Sequence, residues 1–263
     1  MIWFAGDLHG RFEHIAKAID AARAKPQAII LLGDMEAPTP LHACMHEVES
    51  RGVDWYWIIG NHDTDSHDSF ANISDPISMA HDIDGRVVDV DGVRVAGLGG
   101  VFRGEIWYPR DDDRGPSFNS YDEYRRSSQE YLRLKARLSK RDVVQAQAVP
   151  PESHQWEAQL LELSRGGKLL KHRSTIFPDV YERLMSSRAD ILVTHEAPSC
   201  HPHGFRAIDR LAKAMGVQAI FHGHHHDSQD YTSAFELMGF KSYGVGFRGI
   251  TDIDGHAIRT GAP

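Results

Sequence analysis

Residues 1–10 read MIWFAGDLHG, and their pattern indicates the fold class. The apolar run 2–5 stops at Gly6, which predicts a short buried strand followed by a sharp turn. An amphipathic helix is expected next, because apolar residues recur at spacings of three and four. These residues are Phe12, Ile15, Ala16, Ile19 and Ala22. A buried strand leading into such a helix is typical of an α/β protein.

The same alternation continues along the first quarter of the chain. AIILL, residues 28–32, predicts a second buried strand that ends at Gly33. A helix is expected over about 40–51, and WYWII, residues 55–59, predicts a third strand that ends at Gly60. Strands that alternate with helices indicate a parallel sheet with helices on its faces.

The pattern changes near residue 86. Residues 86–100 alternate apolar and polar positions around Asp91-Gly92, which predicts a hairpin. Residues 101–175 are irregular and more polar, and we expect them to form a helical cap inserted into a single domain that spans 1–263.

Regular patterns return in the last third of the chain. A helix is predicted over 177–187 and another near 206–215, with strands in 189–195 and 217–226. The tail, 231–258, predicts short antiparallel strands joined by glycine-rich turns.

The composition bounds the class of protein. The apolar share of 41% and the net charge of −8 are those of an ordinary globular protein, and the acidic balance argues against nucleic acid as the main partner. The basic stretch 123–141 is interpreted as a solvated helix surface. We expect no leader peptide and no membrane span. Two widely separated cysteines agree with a cytoplasmic location.

Polar side chains follow five predicted strands at the point where each strand ends. They are Asp7, His9, Asp34, Asn61, His62, His195, His224 and His226. Ligands bind outside the carboxyl ends of the strands in α/β sheets, so these side chains are expected to converge. In an extended segment, residues i and i+2 point the same way, which predicts that Asp7 meets His9 and that His224 meets His226.

This set of side chains predicts a metal centre. Carboxylate, imidazole and amide ligands suit Mn, Fe, Zn, Ni or Co. Seven such groups, leaving His62 aside, suit two ions better than one ion with open positions. Metal-bound imidazoles are neutral, which explains how four histidines can cluster within residues 221–227.

These motifs resemble those of the calcineurin-like metallophosphoesterases. The family pattern is D-x-H, G-D, G-N-H-[DE], H and G-H-x-H. It stands here as Asp7-Leu8-His9, Gly33-Asp34, Gly60-Asn61-His62-Asp63, His195 and Gly223-His224-His225-His226. The resemblance covers about residues 1–100 and 190–248. It implies an α/β sandwich with two central mixed sheets flanked by helices.

The resemblance also implies a role for each matched residue. Asp7, His9 and His226 would hold one divalent ion, and Asn61, His195 and His224 would hold the other. Asp34 would bridge them, with manganese the first expectation for the metal. A metal-bridging hydroxide would attack phosphorus in line with the leaving group, and His62 would stabilise the transition state or protonate the leaving oxygen.

One departure from related enzymes favours a phosphodiesterase. The protein phosphatases and dinucleoside tetraphosphatases of this family carry Asp-Arg-Gly shortly after the bridging aspartate, whereas residues 34–38 here read DMEAP. The acid that orients His62 is therefore Glu36, Asp63 or Asp65. The cation that grips phosphate is expected to be Arg11 or Arg103, ahead of Arg206.

The expected substrate is a small phosphorylated molecule. It would be nucleotide-like if aromatic residues of the cap stack on a base, but a packed core explains these residues equally well. The aromatic residues in question are Trp107, Tyr108, Phe118, Tyr121 and Tyr124. Phosphomonoesterase and nuclease activities are the alternatives, followed by a non-catalytic scaffold. His201, His203, His222, His225 and Asp227 are interpreted mainly as packing or supporting groups.

Overall fold

The computed structural model describes residues 1–109, 115–145, 159 and 167–261, with residues 139–145 described by their backbone alone. Two mixed sheets lie at the centre of the fold and helices cover them, so the predicted α/β sandwich is confirmed. No helix in these residues is long and apolar enough to cross a membrane.

The first sheet is built from the amino-terminal strands and the tail. Its strands are β1 (Ile2–Ala5), β2 (Ala28–Leu31), β3 (Asp54–Trp57), β10 (Ile250–Asp252) and β11 (Ala257–Arg259), in the order β11-β10-β1-β2-β3. β1, β2 and β3 are parallel, and β10 and β11 complete the sheet antiparallel to their neighbours.

The second sheet is built from the middle of the chain. Its strands are β4 (Val87–Val90), β5 (Val93–Leu98), β6 (Ile191–Thr194), β7 (Ala219–His222), β8 (Gln229–Asp230) and β9 (Lys241–Gly244), in the order β4-β5-β6-β7-β9-β8. β5, β6, β7 and β9 are parallel. Phe4 of β1 stacks on Phe221 of β7 with ring centroids 3.7 Å apart, which joins the two sheets through one apolar core.

Helices cover the two sheets. They are α1 (Glu13–Ala21), α2 (Leu41–Cys44), α3 (His46–Glu49), α4 (His67–Ile73), α5 (Pro76–Met79), α6 (Tyr121–Ser127), α7 (Gln129–Gln145), α8 (Lys168–Lys171), α9 (Pro178–Met185), α10 (Arg206–Met215) and α11 (Phe235–Met238). α1 buries Ile15, Ala16 and Ile19 as its apolar spacing predicts.

Two predictions about local structure need correction. The single helix expected over 40–51 is two short helices, α2 and α3, which meet at the buried Met45. The tail is not wholly antiparallel, because β9 pairs in parallel with β7. The chain reaches β9 through β8 and α11, a crossover connection that allows parallel pairing.

The predicted hairpin at residue 91 is confirmed. β4 and β5 pair antiparallel, with Val90 opposite Val93. The two turn residues, Asp91 and Gly92, have φ of +55° and +78°, the left-handed values that a type I′ turn requires.

The described part of the expected cap packs on the core of the domain. Trp107 and Tyr124 are buried in one cluster with Leu134 and Leu138, so they are packing residues and do not face a ligand. Tyr108 is 39% exposed.

The basic stretch is not a continuous charged face. Arg125 is buried and pairs with Asp122, whereas Arg126, Arg133 and Arg137 are exposed. The side chains of Lys140 and Arg141 lie outside the described residues.

Candidate metal centre

The carboxyl ends of β1, β2, β3, β6 and β7 bring the predicted polar side chains to one place. Two groups of side chains each present ligand atoms within 4.8 Å of one another. One group is Asp7, His9, Asp34 and His226, and the other is Asp34, His195 and His224. Asp34 belongs to both groups, so its carboxylate lies at the junction between them.

The first group surrounds a buried carboxylate. Asp7 is buried, and its Oδ1 accepts a hydrogen bond of 3.0 Å from the backbone N–H of His224. Its Oδ2 is also buried and has no hydrogen-bond partner among the described residues. The Nε2 atoms of His9 and His226 lie 3.2 Å apart. A cation between these atoms would satisfy the open carboxylate oxygen and both imidazole lone pairs.

The second group is deeper in the protein. His195 is buried, and its Nε2 lies 3.3 Å from Oδ2 of Asp34 and 3.1 Å from Oδ1 of Asn61. Asn61 therefore adds an amide oxygen beside the ligand group that contains His195 and His224. The ring centroids of His195 and His224 are 4.9 Å apart.

Hydrogen bonds on the far ring nitrogens set the tautomers of two histidines. Nδ1 of His195 donates to the carbonyl of Leu32 over 2.7 Å, and Nδ1 of His9 bonds to the Glu36 carboxylate. With Nδ1 as the donor, Nε2 of each ring is the atom that faces the ligand group and would offer its lone pair to a bound ion. This arrangement is usual for metal-binding histidines.

The buried carboxylates of the site are stabilised by nearby positive charge. Burial, together with the nearby Asp34, raises the pKa of Asp7 to about 6. Burial alone would also raise the pKa of Asp34, but His195 holds it well below the ordinary value. His195 in turn has its pKa raised to about 10 by Asp34, against the effect of burial. A proton on His195 thus balances two close carboxylates, and divalent cations would do so more completely.

The backbone of the site is left-handed at most of its ligands. Asp7, His9 and Asp34 have φ of +26°, +43° and +50°, and His224 and His226 have +70° and +61°. The expected convergence of residues i and i+2 therefore does not come from extended strands, because the strands have already ended. Such backbone is costly for residues other than glycine and is concentrated at functional sites.

Two glycines make room for the ligands. A Cβ at Gly33 would lie 2.5 Å from Nδ1 of His195, and one at Gly60 would collide with the Asp34 carboxylate. Gly33 also has φ of +98°. Both positions therefore need glycine for space, as the sequence indicates.

Three acids were considered as the group that orients the His62 ring, and each of them has a different hydrogen-bond partner. Nδ1 of His62 is 2.6 Å from Oδ2 of Asp65, which therefore orients the ring. Asp63 is buried and accepts backbone N–H groups of Gly60 and Glu36, and Glu36 bonds to His9. Burial would lower the pKa of His62, but Asp65 and the charge of Asp34 raise it.

The predicted arginines differ in how they are held. Arg103 donates to the carbonyl of Ser174 over 2.6 Å and to Oγ1 of Thr175 over 2.8 Å. Burial lowers its pKa, while Glu196, Asp65 and Asp34 favour its charged form, so it lies within the field of the site. Arg11 is exposed two residues beyond His9, and Arg206 lines a pocket together with His201 and Pro202.

The remaining histidines form a layer behind the ligands. The rings of His201 and His225 stack with centroids 3.8 Å apart, and Nε2 of His201 is 3.7 Å from Oδ2 of Asp227. His222 is buried in β7, and His203 is exposed. None of these four histidines belongs to a ligand group among the described residues.

Phe247 and Arg248 also contact the site, and they were not predicted from the sequence. The Phe247 ring lies 5.2 Å from His9 and 5.0 Å from His226, measured between centroids. Arg248 donates to the carbonyls of Leu8 and His9. The signal was the glycine-flanked stretch GVGFRG, residues 244–249, which indicates a turn directly after a strand.

A sequence model of calcineurin-like phosphoesterases matches residues 1–228. A Haemophilus influenzae protein described as uncharacterized is 36% identical over 260 residues, covering 98% of this chain and 96% of its own.

Two solved structures are similar at low identity. A Thermus thermophilus protein is 13% identical with a TM-score of 0.49, covering 98% of this chain and 99% of that one. A dimetal phosphatase from Danio rerio is 13% identical with a TM-score of 0.49, covering 93% of this chain and 86% of that one.

Proposed function

The chain belongs to the calcineurin-like phosphoesterase family, and we propose that it is a dinuclear metal-dependent hydrolase of phosphodiesters. The observation that carries the proposal is the position of Asp34 in both groups of potential ligands. A shared carboxylate is what two ions about 3.5–4 Å apart require. The first ion is assigned to Asp7, His9 and His226, and the second to Asn61, His195 and His224.

The donor set fits divalent ions of intermediate hardness. It combines carboxylate, imidazole and amide ligands, which suits Mn²⁺ first and Fe, Zn, Ni or Co as alternatives. Bound in this site, two such ions would activate water for attack on phosphorus and offset the charge that develops on the phosphoryl oxygens.

His62 is proposed as the catalytic acid. Its side chain is 43% exposed, and its ring centroid is 5.4 Å from that of His9, so it stands at the open side of the metal ligands. The hydrogen bond from Nδ1 to Asp65 leaves Nε2 to donate to a phosphoryl or leaving oxygen. Asp65 acts through His62 and is a positioning residue.

Charge around His62 supports a diester over a monoester. Glu36 and Asp65 place two carboxylates beside His62, with one ligand atom of each within 4.8 Å of the others. A monoester dianion would meet more repulsion from these groups than a diester monoanion. Arg103 and the exposed Arg11 are proposed to contact the phosphoryl group, because the Arg of the Asp-Arg-Gly motif is absent.

The proposed substrate is a small phosphodiester and not a nucleic acid. The net charge of −8 and the burial of Arg125 argue against a protein surface that binds nucleic acid. Cys44 and Cys200 are free thiols, which agrees with the cytoplasm as the proposed location.

The proposal is tested by comparing bis-p-nitrophenyl phosphate with p-nitrophenyl phosphate on metal-stripped protein resupplied with Mn²⁺. We expect faster diester cleavage, reduced about 10²–10⁴-fold by His62→Ala. The matched control is His46→Ala, an exposed histidine of α3. Preference for the monoester would overturn the substrate class. Turnover of an oligonucleotide that falls steeply with salt would favour a nuclease.

A further inference from the structure

One segment packs against the candidate metal centre and lies outside the part of the chain that the family model matches. Residues 245–249 read VGFRG and lie beyond residue 228, where the match ends. The segment pairs with both turns that carry ligands of the first ion. The backbone N–H of Phe247 donates to the carbonyl of His226 over 3.2 Å, and the N–H of Gly6 donates to the carbonyl of Gly249 over 3.2 Å.

Arg248 forms hydrogen bonds to four successive backbone carbonyls of the turn that carries Asp7 and His9. Its backbone N–H lies 3.2 Å from the carbonyl oxygen of Gly6 and 3.3 Å from that of Asp7. Its Nε donates to Leu8 over 3.2 Å, and its Nη2 donates to His9 over 3.3 Å. These bonds hold the backbone that presents Asp7 and His9, together with the N–H groups of His9 and Gly10, which donate to the carbonyls of Asp34 and Met35.

That backbone needs to be held. Asp7 and His9 both have positive φ, and residues other than glycine keep such backbone only where the surrounding structure fixes it. Without hydrogen bonds from outside the turn, the segment would relax toward ordinary backbone and turn both side chains away from the ligand group.

The guanidinium is itself fixed in place. Its Cζ lies 4.3 Å from the centroid of the Phe247 ring, which also packs beside His9 and His226. The two hydrogen bonds of the Arg248 side chain described above both go to backbone carbonyls. These contacts let Arg248 support the turn that carries Asp7 and His9.

We propose that Arg248 is a positioning residue of the metal centre, which keeps the Asp7–His9 turn in its left-handed, ligand-presenting conformation. The inference rests on the proposed function, because it concerns the site that would hold the first ion. It makes the carboxyl-terminal segment 245–249 a part of that site.

The test is Mn²⁺ binding to metal-stripped protein by isothermal titration calorimetry, without substrate. Arg248→Gln should weaken binding of one ion about 10–100-fold, as loss of a supporting contact does at other metal sites. Arg248→Lys offers one donor nitrogen in place of the two that bond to Leu8 and His9. Its Mn²⁺ affinity should therefore lie between that of Arg248→Gln and that of the wild type. Arg188→Gln is the matched control, since Arg188 is an exposed arginine that also donates to a backbone carbonyl, that of Ala214.

The outcomes separate this inference from the proposed function. Equal Mn²⁺ affinity in the wild type and in folded Arg248→Gln overturns the positioning role and leaves the proposed function standing. A higher KM at unchanged Mn²⁺ affinity would make Arg248 a substrate contact and also overturns it. Absence of Mn²⁺ binding by the wild type overturns both. If Arg248→Gln fails to fold, Phe247→Leu supplies the comparison, and it should weaken Mn²⁺ binding because it removes the ring that fixes the guanidinium.

Discussion

Nδ1 of His62 lies 2.6 Å from Oδ2 of Asp65, three residues further along the same turn. In the proposed function, Asp65 takes the place of the acid that the Asp-Arg-Gly motif supplies in the related enzymes. The orienting carboxylate thus comes from the segment that carries the histidine itself. Asp65 is 62% exposed, so the pair lies on the open side of the site, where a substrate can reach it.

Asp65→Asn should lower kcat while leaving the metal centre intact. The amide cannot stabilise the imidazolium of His62, so we expect a decrease of about 10²-fold, within the range of general acid catalysis. Steady-state kinetics and Mn²⁺ binding check this together. Asp68→Asn, a change at a fully exposed acid nearby, is the control. An unchanged kcat, or a loss of Mn²⁺, would contradict the assigned role.

Glu36→Gln should weaken Mn²⁺ binding. The Glu36 carboxylate bonds to Nδ1 of His9 and so keeps Nε2 of that ring as the metal-facing lone pair. Removing the charge should reduce affinity about 10-fold or more. Calorimetric titration of the metal-stripped variant measures this, and Glu13→Gln, at an exposed position in α1, controls for the loss of one negative charge. The role fails if both variants bind Mn²⁺ equally.

Gly33→Ala should destabilise the protein more than an alanine at another left-handed glycine. The new Cβ would meet Nδ1 of His195 at 2.5 Å, whereas Gly216, with φ of +73°, has open space around it. Both variants carry backbone strain, but only Gly33→Ala forces a buried side chain to move. We expect an additional loss of about 1–3 kcal/mol in the free energy of unfolding, measured with urea. Equal losses would show that His195 is not packed as described.

Acid should destabilise the protein partly through His172. This side chain is fully buried, and burial lowers its pKa from 6.5 to about 4. Between these values the unfolded chain binds the proton and the folded chain does not. Stability therefore falls as pH decreases through this window, by up to about 1.4 kcal/mol per pH unit.

His172→Gln should reduce that pH dependence. Glutamine keeps a polar group near Oγ1 of Thr175, which lies 3.0 Å from Nδ1 of His172, but it does not titrate. The free energy of unfolding, measured in urea at pH 6.5 and pH 4.5, should change less in the variant than in the wild type. His46→Gln, at an exposed site, should change as much as the wild type. The same slope in all three proteins would contradict the buried position of His172.

The convergence of the candidate ligands could be predicted from sequence because its signal is local. Each apolar run identifies a strand, and each polar residue just beyond it must appear at the carboxyl end of that strand. Asp7, Asp34 and His195 follow β1, β2 and β6 in this way. The Asp91-Gly92 hairpin was predictable for the same reason, because two residues determine the turn.

The long-range arrangement could not be predicted in the same way. Apolar runs do not indicate which strands pair with each other. The division into two sheets was therefore expected only from the family resemblance. The parallel pairing of β9 was not predicted. The convergence of His224 and His226 was expected for the wrong reason, since both have positive φ in place of extended backbone. Three acids lay near His62 in sequence, and only the tertiary structure separates Asp65 from Glu36 and Asp63.

A dinuclear centre can be tested by the number of Mn²⁺ ions that metal-stripped protein binds per chain, measured by equilibrium dialysis with elemental analysis. We predict two, because Asp34 joins two groups of ligands. We also predict that Asp34→Asn loses tight binding of both ions. One ion or none in the wild-type protein would contradict a dinuclear centre.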